Sequence, residues 1–295
     1  ARGGTLVVTL EPCCHHGKTP PCTEAVIRAG LKRVVVAAGD PFPEVSGRGL
    51  ARLRDAGIDV ATGCLREEAE RLVAPFRRLV RDGRPWVIAK WAMSLDGRIA
   101  ACGGDSRWIS GAASRGLVHT LRGRMDAIMV GIGTALADDP LLTARPAGPR
   151  TALRVVVDSR ARLPPTSRLV QSAGEVPLLV AVGPEVGRCL RTDGHQQRHL
   201  GERRLTNLLA EGGAELLGGL FDSGSIDEAW AFVAPKLVGG AGAPAAIGGR
   251  GIQRMHEAPR IDVEEVTRVG DDVLVRGLVP PGLTTLGDVT AARAD

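Results

Sequence analysis

"LLAEGGAELLGGL", residues 208–220, holds two periodicities side by side. Leu208–Glu211 is a short apolar run of strand length, and the residues from Ala214 onward place leucines at helical spacing. Between them stand only Gly212 and Gly213, so a strand is predicted to feed directly into a helix. Glycines at that junction leave the first-turn N–H groups unshielded at the carboxyl edge of the strand. Bare amides and the helix dipole together favour a phosphate or pyrophosphate there. The spacing is not G-x-G-x-x-G, which argues against the usual dinucleotide fingerprint.

Working outward, the same alternation recurs. "WVIAKWAMS" begins a second α/β run at Trp86, followed by a helix, "SGAASRGLVHTLR", with Ser110 as its expected cap. "AIMVGIGT", "LRVVVDS", "PLLVAVG" and "EAWAFVAPKL" read as further strands. "IDVEEVTRVGDDVLVRGLV" reads as a hairpin turning at Gly270-Asp271. Three loops at strand ends carry polar residues suited to an anion. "AKWAMSLDGRIAACGGDSRWISG", residues 89–111, puts Ser106 and Trp108 beside a helix start. "GIGTALADDPLLTAR", residues 131–145, ends in Arg145, and Arg122 closes the preceding helix; two guanidinium forks suit a phosphorylated ligand. "VVVDSRARLP", residues 155–164, sets Ser159 and Arg160 just past a strand, an arrangement that fits an NADP 2′-phosphate, while Asp158 argues for NAD.

Toward the N-terminus, residues 5 to about 80 alternate short apolar strands with helices, which predicts a parallel-type sheet. The helix over Thr23–Ala29 is expected to be capped by Thr23 and stopped by Gly30. "RDGRP" makes a polar break at residues 81–85. Before that helix lies "EPCCHHGKTPPC", residues 11–22, with Cys13 at a strand end and Cys22 at a helix start. Thiolates there suit zinc, which takes soft ligands in tetrahedral geometry. None of the six histidines begins a His-x-Glu pair, so the third ligand and the proton-shuttling carboxylate of a zinc deaminase are not found.

The chain has 295 residues, 44% hydrophobic and 24% charged, enough for two domains with real cores. Net charge is +5, with no basic run interleaved with aromatics, which speaks against a nucleic-acid platform and suits an anionic small molecule. No apolar run reaches membrane-span length, and six unevenly placed cysteines without a signal-peptide layout favour reduced thiols in the cytoplasm.

The N-terminal string "TLEPCCHHGKTPPCTEAVIRAG…GDPFPEVSGRGLARLRDAGIDV" resembles the deaminase domain of the bifunctional riboflavin-biosynthesis deaminase–reductases. The ordered set "KWAMSLDG…SRW…GIGTALADDPLLTAR…VVVDS…LLAEGGAELL…APKLVGG" resembles the reductase domain of the same family. The resemblance implies an incomplete cytidine-deaminase-like domain at 1–82, truncated before its His-x-Glu, a dihydrofolate-reductase-like α/β domain at 83–280, and a tail at 281–295. It implies NADPH-dependent reduction of 5-amino-6-(5-phosphoribosylamino)uracil to the ribitylamino form.

Carried onto this chain, the family's NADPH contacts fall on Ala92, Trp108, Thr134, Asp138, Ser159, Gly213, Ala214, Glu215, Leu216, Leu217, Gly218 and Gly219. Its substrate contacts fall on Ser106, Arg122, Leu142, Arg145 and Glu211, with the two arginines near the 5-phosphate. Lys90, Asp138 and Glu211 are the titratable candidates for catalysis. Cys13 and Cys22 would ligate zinc in an incomplete site, with His15 and His16 lining a pyrimidine pocket, and the deaminase is expected to be inactive in this chain. The family implies a homodimer or higher homo-oligomer. Residues 188–207 hold few apolar side chains where the family has a strand and a helix, so that layer is expected to be shortened. The competing expectations are a non-catalytic nucleotide- or zinc-binding remnant, and a fully bifunctional enzyme if upstream residues restore His-x-Glu.

Overall fold

The computed structural model describes residues 1–17, 19–183 and 195–280, and the chain divides into two compact units, Ala1–Arg84 and Pro85–Asp295. The first unit is a parallel three-stranded sheet in the order β1-β2-β3, with β1 at Thr5–Leu10, β2 at Arg33–Ala38 and β3 at Asp59–Thr62. The helices α1 (Cys22–Arg28) and α2 (Arg48–Asp55) make the crossovers, and α3 (Arg66–Leu72) and α4 (Ala74–Asp82) follow. Val26, Val34, Val36, Leu53 and Ile58 form its core.

The α1 start differs from expectation. Thr23 lies inside the helix and its Oγ1 donates to the Cys13 carbonyl at 3.2 Å, so it ties the cysteine loop instead of capping. Gly30 does follow the helix in the left-handed region, φ 64°, where an L side chain is strained.

The second unit is an eight-stranded sheet in the order β10-β11-β9-β4-β8-β5-β6-β7. The strands are β4 (Trp86–Ser94), β5 (Ala127–Gly131), β6 (Leu153–Val157), β7 (Leu178–Ala181), β8 (Asn207–Glu211), β9 (Glu228–Ala234), β10 (Asp262–Val269) and β11 (Asp272–Leu278). From β9 to β7 all neighbours are parallel, and the β10–β11 hairpin adds antiparallel strands at one edge. Its turn is at Gly270-Asp271, with Gly270 at φ 64°.

The helices are α5 (Ala112–Arg122), α6 (Ile132–Asp138), α7 (Arg168–Gln171), α8 (His195–Glu202) and α9 (Ala214–Asp222). Side chains alternate between the two faces of the sheet. Val87, Ala89, Ala127 and Met129 enter one core, while Ile88, Ile128 and Val130 enter the other.

Two local expectations are corrected. "GIGT" does not prolong a strand, because β5 stops at Gly131 and α6 starts at Ile132. Ser110 does not cap α5. The cap residue is Gly111, whose N–H donates to Asp272 Oδ2 at 2.7 Å, and Ser114 Oγ donates to the same oxygen at 2.6 Å. A carboxylate from the far hairpin thus does what a local serine was expected to do. In the 188–207 interval, residues 188–194 lie outside the described residues, and α8 buries Leu200 in the core. The expected tail, 281–295, lies outside them too.

The path of the chain positions the site. After β4 the chain skips a place to lay down β5, β6 and β7, then returns to insert β8 between β4 and β5 and sets β9 on the other side of β4. In open parallel sheets such a reversal leaves a crevice at the carboxyl ends of the strands.

Candidate active site

A cleft of about 1690 Å³ opens at those carboxyl ends, entirely within the second unit. Its floor comes from Lys90–Ala92 of β4, Val130–Gly131 of β5, Val157 of β6 and Glu211 of β8. Two helices start in it. Gly131 precedes α6 and Gly213 precedes α9, both in extended backbone and neither with a side chain capping the first turn. Their first-turn amides are therefore free for an anion.

The two glycines before α9 have different reasons to be glycine. A Cβ on Gly212 would lie 2.6 Å from Leu216 Cδ2 and 2.8 Å from its Cβ, so packing forbids one. A Cβ on Gly213 would meet nothing nearer than Thr134 Oγ1 at 3.7 Å, so there the bare backbone faces open cleft.

In the middle of the floor Lys90 is the register partner of Glu211 across β4 and β8. Glu211 also takes both arms of Arg122 from the end of α5, Nε to Oε1 at 2.6 Å and Nη2 to Oε2 at 2.9 Å. Burial alone would raise the Glu211 carboxyl, but the Arg122 charge and hydrogen bonds outweigh it and hold it below the ordinary glutamate value. Burial, with Arg122 adding to it, pushes the Lys90 ammonium below the ordinary lysine value, against the pull of Glu211. The Lys90 ammonium stands 5.7 Å from the centre of the Phe232 ring.

Arg122 lines the cleft with Nε and Nη2 on Glu211 and Nη1 3.4 Å from the Thr143 carbonyl, which leaves further N–H groups of its fork uncommitted. Arg145, exposed at the cleft edge, has no hydrogen bond or ion pair with the described residues. Between them His119 rests its Nδ1 on the Thr143 carbonyl at 3.0 Å.

At the rim, Trp108 is 62% exposed under the Arg115 guanidinium, 4.5 Å from its ring centre, and its carbonyl accepts from Lys236 Nζ at 2.5 Å. Arg107 reaches across to the Asp138 carbonyl at 2.8 Å. Beyond Val157 the Asp158 carboxylate turns inward to accept from Leu163 N–H at 2.8 Å, and Ser159, Arg160 and Arg162 line the cleft instead. Asp139 and Leu142 hold left-handed backbone, φ 39° and 53°, in the turn that carries the cleft wall Pro140–Leu142.

Of the residues expected here, Lys90, Ala92, Ser106, Trp108, Arg122, Thr134, Asp138, Leu142, Arg145, Ser159, Glu211, Gly213, Ala214, Glu215, Leu216 and Gly219 line this cleft. Leu217 and Gly218 do not. Leu217 is fully buried in the core, and a Cβ on Gly218 would lie 2.4 Å from the Gly248 backbone, so both serve helix packing. Sequence reasoning missed His119, Arg115 and Arg168 as lining residues. His119 had a signal available, since it lies three residues before Arg122 on one helix face.

The fold and this cleft define the larger unit as an α/β domain with a ligand cleft at the carboxyl ends of its parallel strands. Its residues 85–275 match the family model described as the RibD C-terminal domain. A riboflavin biosynthesis protein RibD from Actinobacillus pleuropneumoniae is 38% identical over 92% of this chain and 78% of its own length. One from Mycobacterium tuberculosis is 40% identical over 93% of this chain and 78% of its own.

Among solved structures, Acinetobacter baumannii RibD superposes with a TM-score of 0.83 at 34% identity, covering 95% of this chain and 82% of that one. A Thermotoga maritima protein titled diaminohydroxyphosphoribosylaminopyrimidine deaminase/5-amino-6-(5-phosphoribosylamino)uracil reductase gives 0.82 at 34% identity, covering 95% of this chain and 80% of that one. The chain belongs to the RibD family of riboflavin-biosynthesis proteins.

In the first unit Cys13 and Cys22 do meet, the Cys22 N–H pointing to Cys13 Sγ at 3.3 Å. Hydrogen bonding to Cys13, burial and the Cys13 charge push the Cys22 thiol up. The His15 ring packs on Phe42 at 5.5 Å between centres. Glu11 is spoken for. Its Oε2 accepts from Asp40 N–H at 3.3 Å and Gly47 N–H at 3.0 Å, and its Oε1 from Gly49 N–H at 2.9 Å and Leu50 N–H at 3.2 Å. Among the described residues no three His, Cys, Asp or Glu come together as a zinc cage requires, so the donors present do not fit a catalytic zinc.

Proposed function

We propose that the cleft holds NADPH and 5-amino-6-(5-phosphoribosylamino)uracil side by side and that the chain reduces the ribosylamino carbon to give the ribitylamino product. The observation that carries this reading is the convergence, in one cleft, of two helix starts without a side-chain cap among the described residues, the Lys90–Glu211–Arg122 cluster, and Arg145, which pairs with none of the described residues. NADPH, when bound, supplies the hydride.

The α6 and α9 amides with Thr134 receive its pyrophosphate, and Ser159 with Arg160 and Arg162 receives the 2′-phosphate, Asp158 being turned away from a ribose. Trp108 and Ala92 line the cofactor's path along the rim and floor, with Asp138 at its edge. Ser106 and Leu142 hold the substrate's base and ribose, and Arg145 its 5-phosphate. Arg122 acts through Glu211, fixing the carboxylate that faces Lys90.

Glu211 is held ionised and Asp138 stands at the rim, which leaves Lys90 as the proton donor. Burial brings its acidity toward that of the nitrogen or oxygen it must protonate. No hydrolytic step is assigned to the first unit. Its free thiols fit a reducing cytoplasm, and the exposed Val263 and Val266 on the β10 edge fit self-association into a homo-oligomer.

The test is to mix the chain with NADPH and the aminouracil ribotide. Loss of NADPH absorbance with a product two hydrogens heavier is expected; a folded chain that oxidises no NADPH overturns the reading.

A further inference from the structure

A phosphate in this cleft has room for more donors than one guanidinium supplies. A phosphate monoester offers three oxygens and carries close to two negative charges at neutral pH. Arg122 gives two of its five N–H groups to Glu211, and Arg145 makes no hydrogen bond or ion pair with the described residues.

His119 stands in the last turn of α5, one turn before Arg122, and lines the same cleft. A carbonyl oxygen can only accept, so the 3.0 Å contact to Thr143 O assigns the proton to His119 Nδ1 and fixes the ring plane. Nε2 is left at the opposite edge of the ring with no partner among the described residues.

Resting on the reading above, we propose that His119 is a further phosphate-binding residue of the reductase cleft: when the 5-phosphate sits on Arg145, Nε2 takes up a proton and donates it to a phosphate oxygen. Both ring nitrogens are then donors, Nδ1 to the Thr143 carbonyl and Nε2 to the ligand.

The charges around the ring set when this happens. Burial and then the Arg122 guanidinium hold the imidazole below its ordinary value, Arg145 adds to this, and the Thr143 bond and Glu211 oppose it. A phosphate dianion cancels Arg145 and adds negative charge beside the ring, so the balance reverses on binding. Phosphorylated ligands are therefore bound with proton uptake at His119, and an unphosphorylated ribosylamine is not.

Calorimetric titration of the full chain with ribose 5-phosphate, in two buffers of different ionisation heat at about pH 6.5, reads that uptake. The ester's own change of protonation is common to all variants, so the difference between the parent and His119→Asn isolates the ring. Asn keeps a donor for the Thr143 carbonyl and lacks Nε2. The parent is expected to take up more protons than His119→Asn and to bind about tenfold more tightly, as one lost charge-assisted hydrogen bond implies, with the gap closing toward pH 8. Equal uptake with binding retained, or no binding of ribose 5-phosphate by the parent, overturns the proposal.

Should His119→Asn not fold, the parent's histidine ring-proton resonances serve. A ring that gains charge on adding ribose 5-phosphate supports the proposal, and none gaining charge overturns it. Turnover of the aminouracil ribotide by the parent separates the two failures. With turnover and equal uptake only the histidine role falls; without turnover the reading of the cleft falls, and this with it.

Discussion

Arg122 and Glu211, 89 residues apart in sequence, meet fork to fork with side chains only 15% and 10% exposed. One closes α5 and the other ends β8, so the pair fastens a helix to the middle of the sheet. A buried pair broken on one side leaves the other charge stranded, at a cost of about 3–5 kcal/mol. Arg122→Met or Glu211→Leu alone is expected to lower unfolding stability by about that much, and the double variant by clearly less than the sum. Denaturant unfolding of all four proteins checks this; strict additivity would mean the ions are not coupled.

The same pair sets an acid limit. The folded value of Glu211 is depressed, so its contribution is fully present above the unfolded glutamate value and is lost as pH falls through the folded one. Stability measured downward from neutral pH should therefore fall more gently in Glu211→Gln than in the parent. Parallel curves would show that this carboxylate does not drive the acid loss.

Lys90 should govern the alkaline side of activity. A donor ammonium with a depressed value loses its proton below the ordinary lysine pH, so kcat is expected to decline with a midpoint below that value. Lys90→Met should reduce kcat about a hundred- to ten-thousand-fold and leave NADPH binding near the parent's. A pH profile flat to ordinary lysine pH, or an active Lys90→Met, sinks the assignment.

Gly212 and Gly213 can be told apart by one methyl each. Gly212→Ala collides with the Leu216 side chain, so unfolding stability should drop by about 1–3 kcal/mol. Gly213→Ala meets open cleft, so the fold should hold while NADPH binds several-fold more weakly. Melting curves and cofactor titration on both variants test the split, and the reverse pattern would refute it.

In the first unit Glu11 replaces water for four backbone donors around the start of α2. Glu11→Ala strands those amides and is expected to cost that unit roughly 3 kcal/mol or more. Hydrogen exchange at residues 40, 47, 49 and 50 should quicken in the variant; unchanged protection would show that the carboxylate is dispensable.

Most of the elements were legible because the pattern is local. β4 ran as expected from Trp86 to Ser94, and the hairpin turned at Gly270-Asp271. Helix α6 was not legible, since "GIGT" carries two glycines and α6 has only seven residues, too few for a period to show. The α5 cap escaped because Asp272 arrives from 158 residues beyond Ser114, and no window along the chain connects them.

The site divides in the same way. The glycine helix start and Arg145 were visible as motifs, and both reach the cleft. The Arg122–Glu211 pair was not, because the two residues stand 89 positions apart and meet only after folding. Leu217 and Gly218 came with the family's unbroken run of contacts over 213–219, and in the structure they lie on the side of the helix that faces the core.

The insertion of β8 has a consequence for biosynthesis. β4 pairs with β8 and β9 and no earlier strand, and β5 pairs with β8 on the side toward β4. A nascent chain that has emerged only as far as β7 carries Lys90 on a strand without neighbours. The ribosome must release β8 before this floor can close, and a gene split between β7 and β8 would leave Lys90 and Glu211 on different products.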